Sequence, residues 1–369
     1  MNREHDTATR HGLATALGLG LALAALTVSV VFPGCSTSNP AGPSPSQTFL
    51  VDVDGGGDFL TIQEALNASS DGDTVLVAPG TYEGPGNRNL VFGGASVVLR
   101  GTGERDEVII HCDGVGHGFY IGGDAEPVIE NLAIANGDTV RGGGMYLEGT
   151  SPTIRNVRFV GNAAIDGGGL YCRDGSPTLE DVLFDFNTAA VQGGGILCIN
   201  SFPTLDNVTF FWNEGDGSGG GMACVFSSPA LTECVFEENV SYFGGAIYCG
   251  QSSPDIRSCT FVGNEGYEGS AVSCTDDSSP EIRYTIIACN KPDEALYCDD
   301  STPYTTLSCI FDNGYSNELC GTYTTSMLYT DPLFCNLEGG DLTLRAVSQC
   351  LPENNDWGIQ IGAFGEGCD

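Results

Sequence analysis

Beyond its first 35 residues, this chain places its apolar residues in short runs rather than in stretches of helical length. In IRNVRF the apolar positions are Ile154, Val157 and Phe159. In GLYC, Leu170 and Cys172 alternate with Tyr171. Period-two alternation bounded by Pro, Asn and Gly predicts short strands joined by turns.

The pattern repeats. SPTIRNVRFVGNAAIDGGGLYC (Ser151–Cys172) is followed by SPTLEDVLFDFNTAAVQGGGILC (Ser176–Cys198). A proline recurs at Pro152, Pro177, Pro203, Pro229, Pro254, Pro280 and Pro303, in steps of 25, 26, 26, 25, 26 and 23 residues. Ten residues after each stands Asn162, Asn187, Asn213, Asn239, Asn264, Asn290 or Asn313, and a shorter first copy holds Pro127 and Asn136. Glycine clusters follow, from Gly142–Gly144 to Gly244–Gly245. A unit of about 25 residues with several short strands suits one coil of a solenoid, each coil stacking on the next at roughly 4.8 Å. The fold class is therefore all-β, a single parallel β-helix.

Stacking gives the repeated letters structural work. Asparagines at one turn of every coil, Asn136 included, can form a hydrogen-bonded ladder. Glycine permits the positive φ or close approach of a corner. Cys172, Cys198, Cys224, Cys249, Cys274 and Cys298 share an inward position, and Cys234 and Cys259 share a second. They read as small core residues, mostly reduced or sparsely bridged.

Residues 1–35 read as an export signal: Arg3, Arg10 and His11 precede the apolar run Leu13–Phe32, which ends in FPGC. Residues 36–48 form a Pro/Ser linker. The cap and first coils are expected over 49–126, regular repeats over 127–321 and a closing segment over 322–369. The mature chain is expected outside the cytoplasm, where cysteines oxidise. Of 16 cysteines, 15 remain if Cys35 is removed, so one thiol stays unpaired in a monomer. No CxxC pair occurs and only four histidines are present, which argues against zinc.

The formal charge is −35, with Lys+Arg 13 against Asp+Glu 48. Such a surface repels phosphate backbones, excluding nucleic acid, and meets a membrane only through an N-terminal anchor. Disorder is excluded by the 41% of hydrophobic residues, which supply a core.

The repeat resembles the right-handed parallel β-helix repeats of bacterial surface proteins. It is especially similar to the polymorphic outer membrane protein repeats, through GGAIYC (Gly244–Cys249) and FVGN (Phe261–Asn264). Val51–Gly84 resembles the opening of the pectate-lyase and pectin-esterase superfamily, which implies a short helix near Thr61–Asn67 plugging the first coil. DPLFC, LRAVSQC and IGAFGEGC resemble the closing segment of secreted β-helices, with Cys320, Cys335, Cys350 and Cys368 the disulfide candidates. FPGC resembles a bacterial lipobox, which implies lipidation at Cys35.

Chemistry is sparsely signalled. In lyases of this resemblance a basic residue works beside a calcium site, but Arg155, Arg257 and Arg283 form a row suited to charge balance. GHG at Gly116–Gly118 lacks the accompanying motifs of a polygalacturonase. Tyr146, Tyr171, Tyr248 and Tyr297 share an outward position and could stack on sugar rings. Glu214 and Asp216 mark the best acidic turn for calcium, the one cofactor the composition suits, though none is firmly implied. The expectation is a non-enzymatic, lipid-anchored surface protein presenting an elongated face to a polysaccharide or another surface protein. A carbohydrate-active enzyme and a passive stalk are the alternatives.

Overall fold

The computed structural model describes residues 45–314, 317 and 319–369. Cys35 and the export segment lie outside the described residues. Among the described residues no helix is long and apolar enough to cross a membrane.

Three parallel sheets run the length of the solenoid. The first is a split sheet of 20 strands; the coil of Thr153–Val160 spans it in one strand, and later coils break it in two, as in Thr178–Glu180 and Leu183–Asp185. A wing sheet of seven strands runs from Asp138–Arg141 to Lys291–Pro292. A cysteine sheet of eight strands runs from Phe119–Gly122 to Leu296–Cys298. Every coil pairs with the next in parallel register, for example Cys172 with Cys198 and Cys198 with Cys224.

The corners explain the repeated residues. Gly167 turns the chain at φ +65°, and a Cβ on Gly168 would lie 2.4 Å from the Thr188 carbonyl of the next coil. One position requires left-handed backbone and the other close approach, so both select glycine. Inside, Phe159, Phe184, Phe210, Phe236 and Phe261 stack with centroids 4.5–5.1 Å apart. Offset rings in contact add to the burial of their apolar area.

Asn162 Nδ2 donates to Asn187 Oδ1 at 3.0 Å and to the Ile134 carbonyl at 3.0 Å, while Asn187 Oδ1 also accepts from the Asn162 backbone N–H. The same bonds recur through Asn213, Asn239, Asn264, Asn290 and Asn313. Each buried amide is thereby satisfied. A second ladder, of serines, joins Ser201, Ser227, Ser252, Ser278 and Ser301 from backbone N–H to Oγ.

Asn136 is not a rung. It follows Pro127 by nine residues rather than ten, so the register places Gly137 opposite Asn162, with Gly137 N donating to Asn162 Oδ1 at 2.9 Å. Asn136 itself is exposed at φ +55°.

The N-terminal helix spans Ile62–Ala68, capped by Thr61, and buries Ile62, Ala65 and Leu66 in the solenoid core. At the other end, two disulfides form. Cys335 joins Cys368, and Cys320 joins Cys298, a member of the inward cysteine column. Cys350, a disulfide candidate by sequence, is a free buried thiol packed in one cluster with Cys309. The other column cysteines are free and buried.

The closing segment lies along the flank of the solenoid. Its strands Phe334–Asn336, Asp341–Arg345 and Glu366–Cys368 form a small sheet. Phe334, Leu342, Leu344, Leu351 and Ile361 cover the outer faces of Val235, Val262, Ile286 and Ala288. Gly362 N and Ala363 N fasten it to the Tyr284 carbonyl and Thr260 Oγ1.

Candidate binding cleft

Of the tyrosines expected to face a ligand, Tyr146 and Tyr171 are 8% and 2% exposed. They join Leu197 and Ala223 in an apolar cluster separate from the core. Tyr120, Tyr146 and Tyr171 stack 5.0–5.1 Å apart with planes within 6°, and the Arg141 guanidinium lies over the Tyr171 ring. Their ring faces are already taken, so a sugar cannot stack on Tyr146 or Tyr171. Tyr248 is half-buried with its hydroxyl bonded to Thr275 Oγ1, and Tyr297 is half-buried.

Glu214 and Asp216 stand exposed on the outer face of the wing sheet. Among the described residues, the three-ligand convergence that could hold a metal is Glu83, His111 and Asp113, not these two. The arginine row is paired: Arg155 with Glu180, Arg257 with Asp255, and Arg283 with Glu281.

The cleft lies where the closing segment ends against the solenoid. Leu183, Thr209, Phe211, Trp212, Glu237 and Glu238, from three successive coils, form one wall. The turn Leu337–Gly340 forms the other, and the cavity measures about 590 Å³. A further groove, along Asn156, Asp181 and Asn207, joins it through the shared residues Leu183 and Thr209. At its head Arg158 clamps the buried carboxylate of Asp185 through Nε and Nη2 and reaches Asp106 through Nη1. Both Asp185 oxygens are thus engaged, which holds this edge rigid.

Trp212 of this wall, and Phe186 packed beside it, sit at left-handed backbone. The residue just before each ladder asparagine is left-handed; Gly161 and Gly263 fill it at φ +62° and +67°, and Glu238, Cys289 and Asp312 at +55°, +59° and +47°. Phe186 and Trp212 occupy the same slot at φ +56° and +53°, and are 51% and 49% exposed. A non-glycine residue there costs roughly 1–2 kcal/mol. Phe211 meets both rings edge-on, at 82° and 76°, while Phe186 and Trp212 lie nearly parallel, 6.5 Å apart, each about half exposed.

Burial pushes the Glu237 carboxyl up to about 7, helped by the neighbouring charge of Glu238. Glu238 is itself raised, by burial and by Glu265. A Cβ on Gly340 would sit 3.8 Å from Glu237 Oε1, so the closing turn brings bare backbone against this carboxyl. The cleft therefore offers half-exposed aromatic rings beside a carboxyl that holds its proton near neutral pH.

None of Phe186, Phe211, Trp212 and Glu237 was singled out by the sequence pattern. A usable signal existed: two large aromatics stand in a corner slot that the other coils fill with glycine, glutamate, cysteine or aspartate. Glu237 had none, because its environment is completed by residues a hundred positions later.

The family described as right-handed β-helix region matches residues 95–267 and 180–330. Three solved structures resemble the chain. Pectate lyase Pel9A aligns at 13% identity over 88% of this chain and 97% of its own, with a TM-score of 0.45. Alginate lyase from Paenibacillus sp. str. FPU-7 aligns at 12% identity over 76% and 99%, with a TM-score of 0.48. Pectin methylesterase from carrot aligns at 11% identity over 80% and 91%, with a TM-score of 0.44. At these identities the likeness is one of fold. No curated protein matches the sequence.

Proposed function

The chain belongs to the right-handed β-helix family, and on that scaffold we propose that it is a non-enzymatic extracytoplasmic surface protein binding a saccharide in the cleft beneath its closing segment. The family sets the scaffold and leaves the chemistry to the site. The observation that carries the reading is the pair of exposed aromatics, Phe186 and Trp212, held at left-handed backbone beside a cavity of about 590 Å³. Half-exposed aromatic rings suit the apolar faces of sugar rings, and nearby carboxyls accept hydrogen bonds from hydroxyls. Glu237, Glu238 and Glu338 line the cleft of a chain with formal charge −35. Neutral or amino-bearing glycans fit this field, and polyuronates are repelled.

The test is retention on neutral, cationic and acidic polysaccharides, for the parent and for Trp212→Ala. Retention on neutral or cationic polymers, lost in the variant, is expected. Preference for acidic polymers, or binding indifferent to Trp212, overturns the reading.

The raised Glu237 carboxyl favours a second reading, catalysis. A carboxylic acid still protonated near pH 7 can serve as general acid. New reducing ends or unsaturated products from a bound polymer, abolished in Glu237→Gln, would make the protein an enzyme.

A further inference from the structure

Away from the cleft, the early coils carry a group that the repeat does not explain. Parallel pairing of Gly80–Tyr82 with Val108–His111 sets Tyr82 beside Ile110, which brings Glu83 next to His111 at the strand end. Two residues on, Asp113 turns back at φ +59°. His111 Nδ1 lies 3.2 Å from Asp113 Oδ1 and 3.7 Å from Glu83 Oε1, and the Asp113 backbone N–H also donates to it at 3.3 Å. One ligand atom from each of the three residues falls within 4.8 Å of the others.

The atoms turned away from this point are held by neighbours outside the triad. His111 Nε2 lies 2.8 Å from the Asn136 side-chain amide; turned so that its oxygen faces the ring, that amide accepts from Nε2–H and frees Nδ1 to ligate. Asp113 Oδ2 accepts from Arg88 Nη1 at 2.5 Å and from Gly84 N at 3.3 Å. Arg88 Nη1 is itself anchored on the Cys112 carbonyl. The outer partner of a metal-bound imidazole or carboxylate has this role: it fixes ring orientation and leaves the inner atoms converging. Asn136, displaced from the asparagine ladder by a nine-residue spacing, is thereby placed to hold a histidine.

We propose that Glu83, His111 and Asp113 form a divalent transition-metal site, with Asn136 and Arg88 as its orienting residues. An imidazole among carboxylates selects a borderline ion of the zinc type over calcium, which prefers oxygen alone. Three protein ligands leave a coordination position open to water or to a small donor ligand. Glu83 and Asp113 are exposed, so the ion can exchange with solvent. The argument against zinc from absent CxxC pairs does not reach this arrangement, which uses one histidine and no cysteine.

The experiment is titration of the full chain with Zn2+ and with Co2+, in excess Ca2+ to occupy the acidic surface. Calorimetry reads the first and the visible absorption of bound cobalt the second. One saturable site is expected. It should be lost in His111→Ala and Glu83→Gln, and weakened about tenfold in Asn136→Ala. Urea midpoints check that each variant folds; should His111→Ala fail, the other two decide. Absence of saturable binding, displacement by calcium, or binding unchanged in the folded variants would overturn the site and leave an ion-pair cluster around His111.

Discussion

Two aromatic groups face outward from this solenoid, and they behave oppositely. On the cysteine sheet, Tyr120, Tyr146 and Tyr171 stack almost parallel, and Tyr146 and Tyr171 are nearly inaccessible. Beside the closing segment, Phe186 and Trp212 lie nearly parallel but 6.5 Å apart, Phe211 meets both edge-on, and the first two are about half exposed. Strict repetition of one residue type on a flat sheet makes the rings satisfy each other. A break in the repeat leaves them more loosely packed and half exposed. For stacked coils, a regular outward row is therefore structure first, and irregular residues at the repeat's corners are where ligands are to be sought.

The largest expected effect separates the two groups by stability. Tyr171→Ala should destabilise the fold by about 3–5 kcal/mol, as loss of a buried aromatic does. Trp212→Ala should leave the denaturant midpoint nearly unchanged. Equal losses in both would end the distinction.

Next comes affinity. Trp212→Ala should weaken saccharide retention by about tenfold or more, the scale of a lost central aromatic anchor. Arg141→Ala, on the tyrosine column, should leave retention alone. A calorimetric comparison of the two variants decides which group binds.

The strained slot gives a third outcome. Trp212→Gly should raise stability by about 1 kcal/mol, since glycine takes positive φ without the Cβ penalty. A lower urea midpoint would mean that the indole contributes more by packing than its backbone costs.

The fourth concerns pH. Glu237 is raised from 4.5 to about 7 in the folded state. Between those values the native protein keeps a proton that the unfolded chain has released, so stability falls as pH rises through the window. Glu237→Gln should remove that slope, matching the parent below pH 4.5 and exceeding it above about 7. Denaturant midpoints across this range, taken as variant minus parent, isolate the effect from the protein's overall acidity.

The smallest effect is expected of Arg141→Ala, about 0.5–1 kcal/mol, for loss of the cation over the Tyr171 ring. A larger loss would show the arginine to be a main support of the column.

Much of the scaffold was legible because repetition converts sequence position into spatial position. Asn162 and Asn187 differ by one coil in sequence and by one rung in space, so a shared letter announces a shared contact. The same logic places Phe159 over Phe184 and Cys172 beside Cys198. It failed at Asn136, where one missing residue shifted the register by a full position. It also failed at Cys350, whose partnership depends on how a non-repeating segment lies on the flank.

By itself the sequence determined the coil, its period, its inward residues and its corners, since those follow from local periodicity and steric demand. Tertiary structure alone decided what chemistry the surface offers. The Tyr171 ring faces are consumed because neighbours stack on them at one strand spacing. Glu237 becomes a neutral-pH acid because Leu337–Gly340 folds back across several coils to dehydrate it. Glu83 meets His111 because parallel pairing sets two strand ends side by side. Burial, charge proximity and ring accessibility are properties of pairs distant in the chain, and no local pattern encodes them.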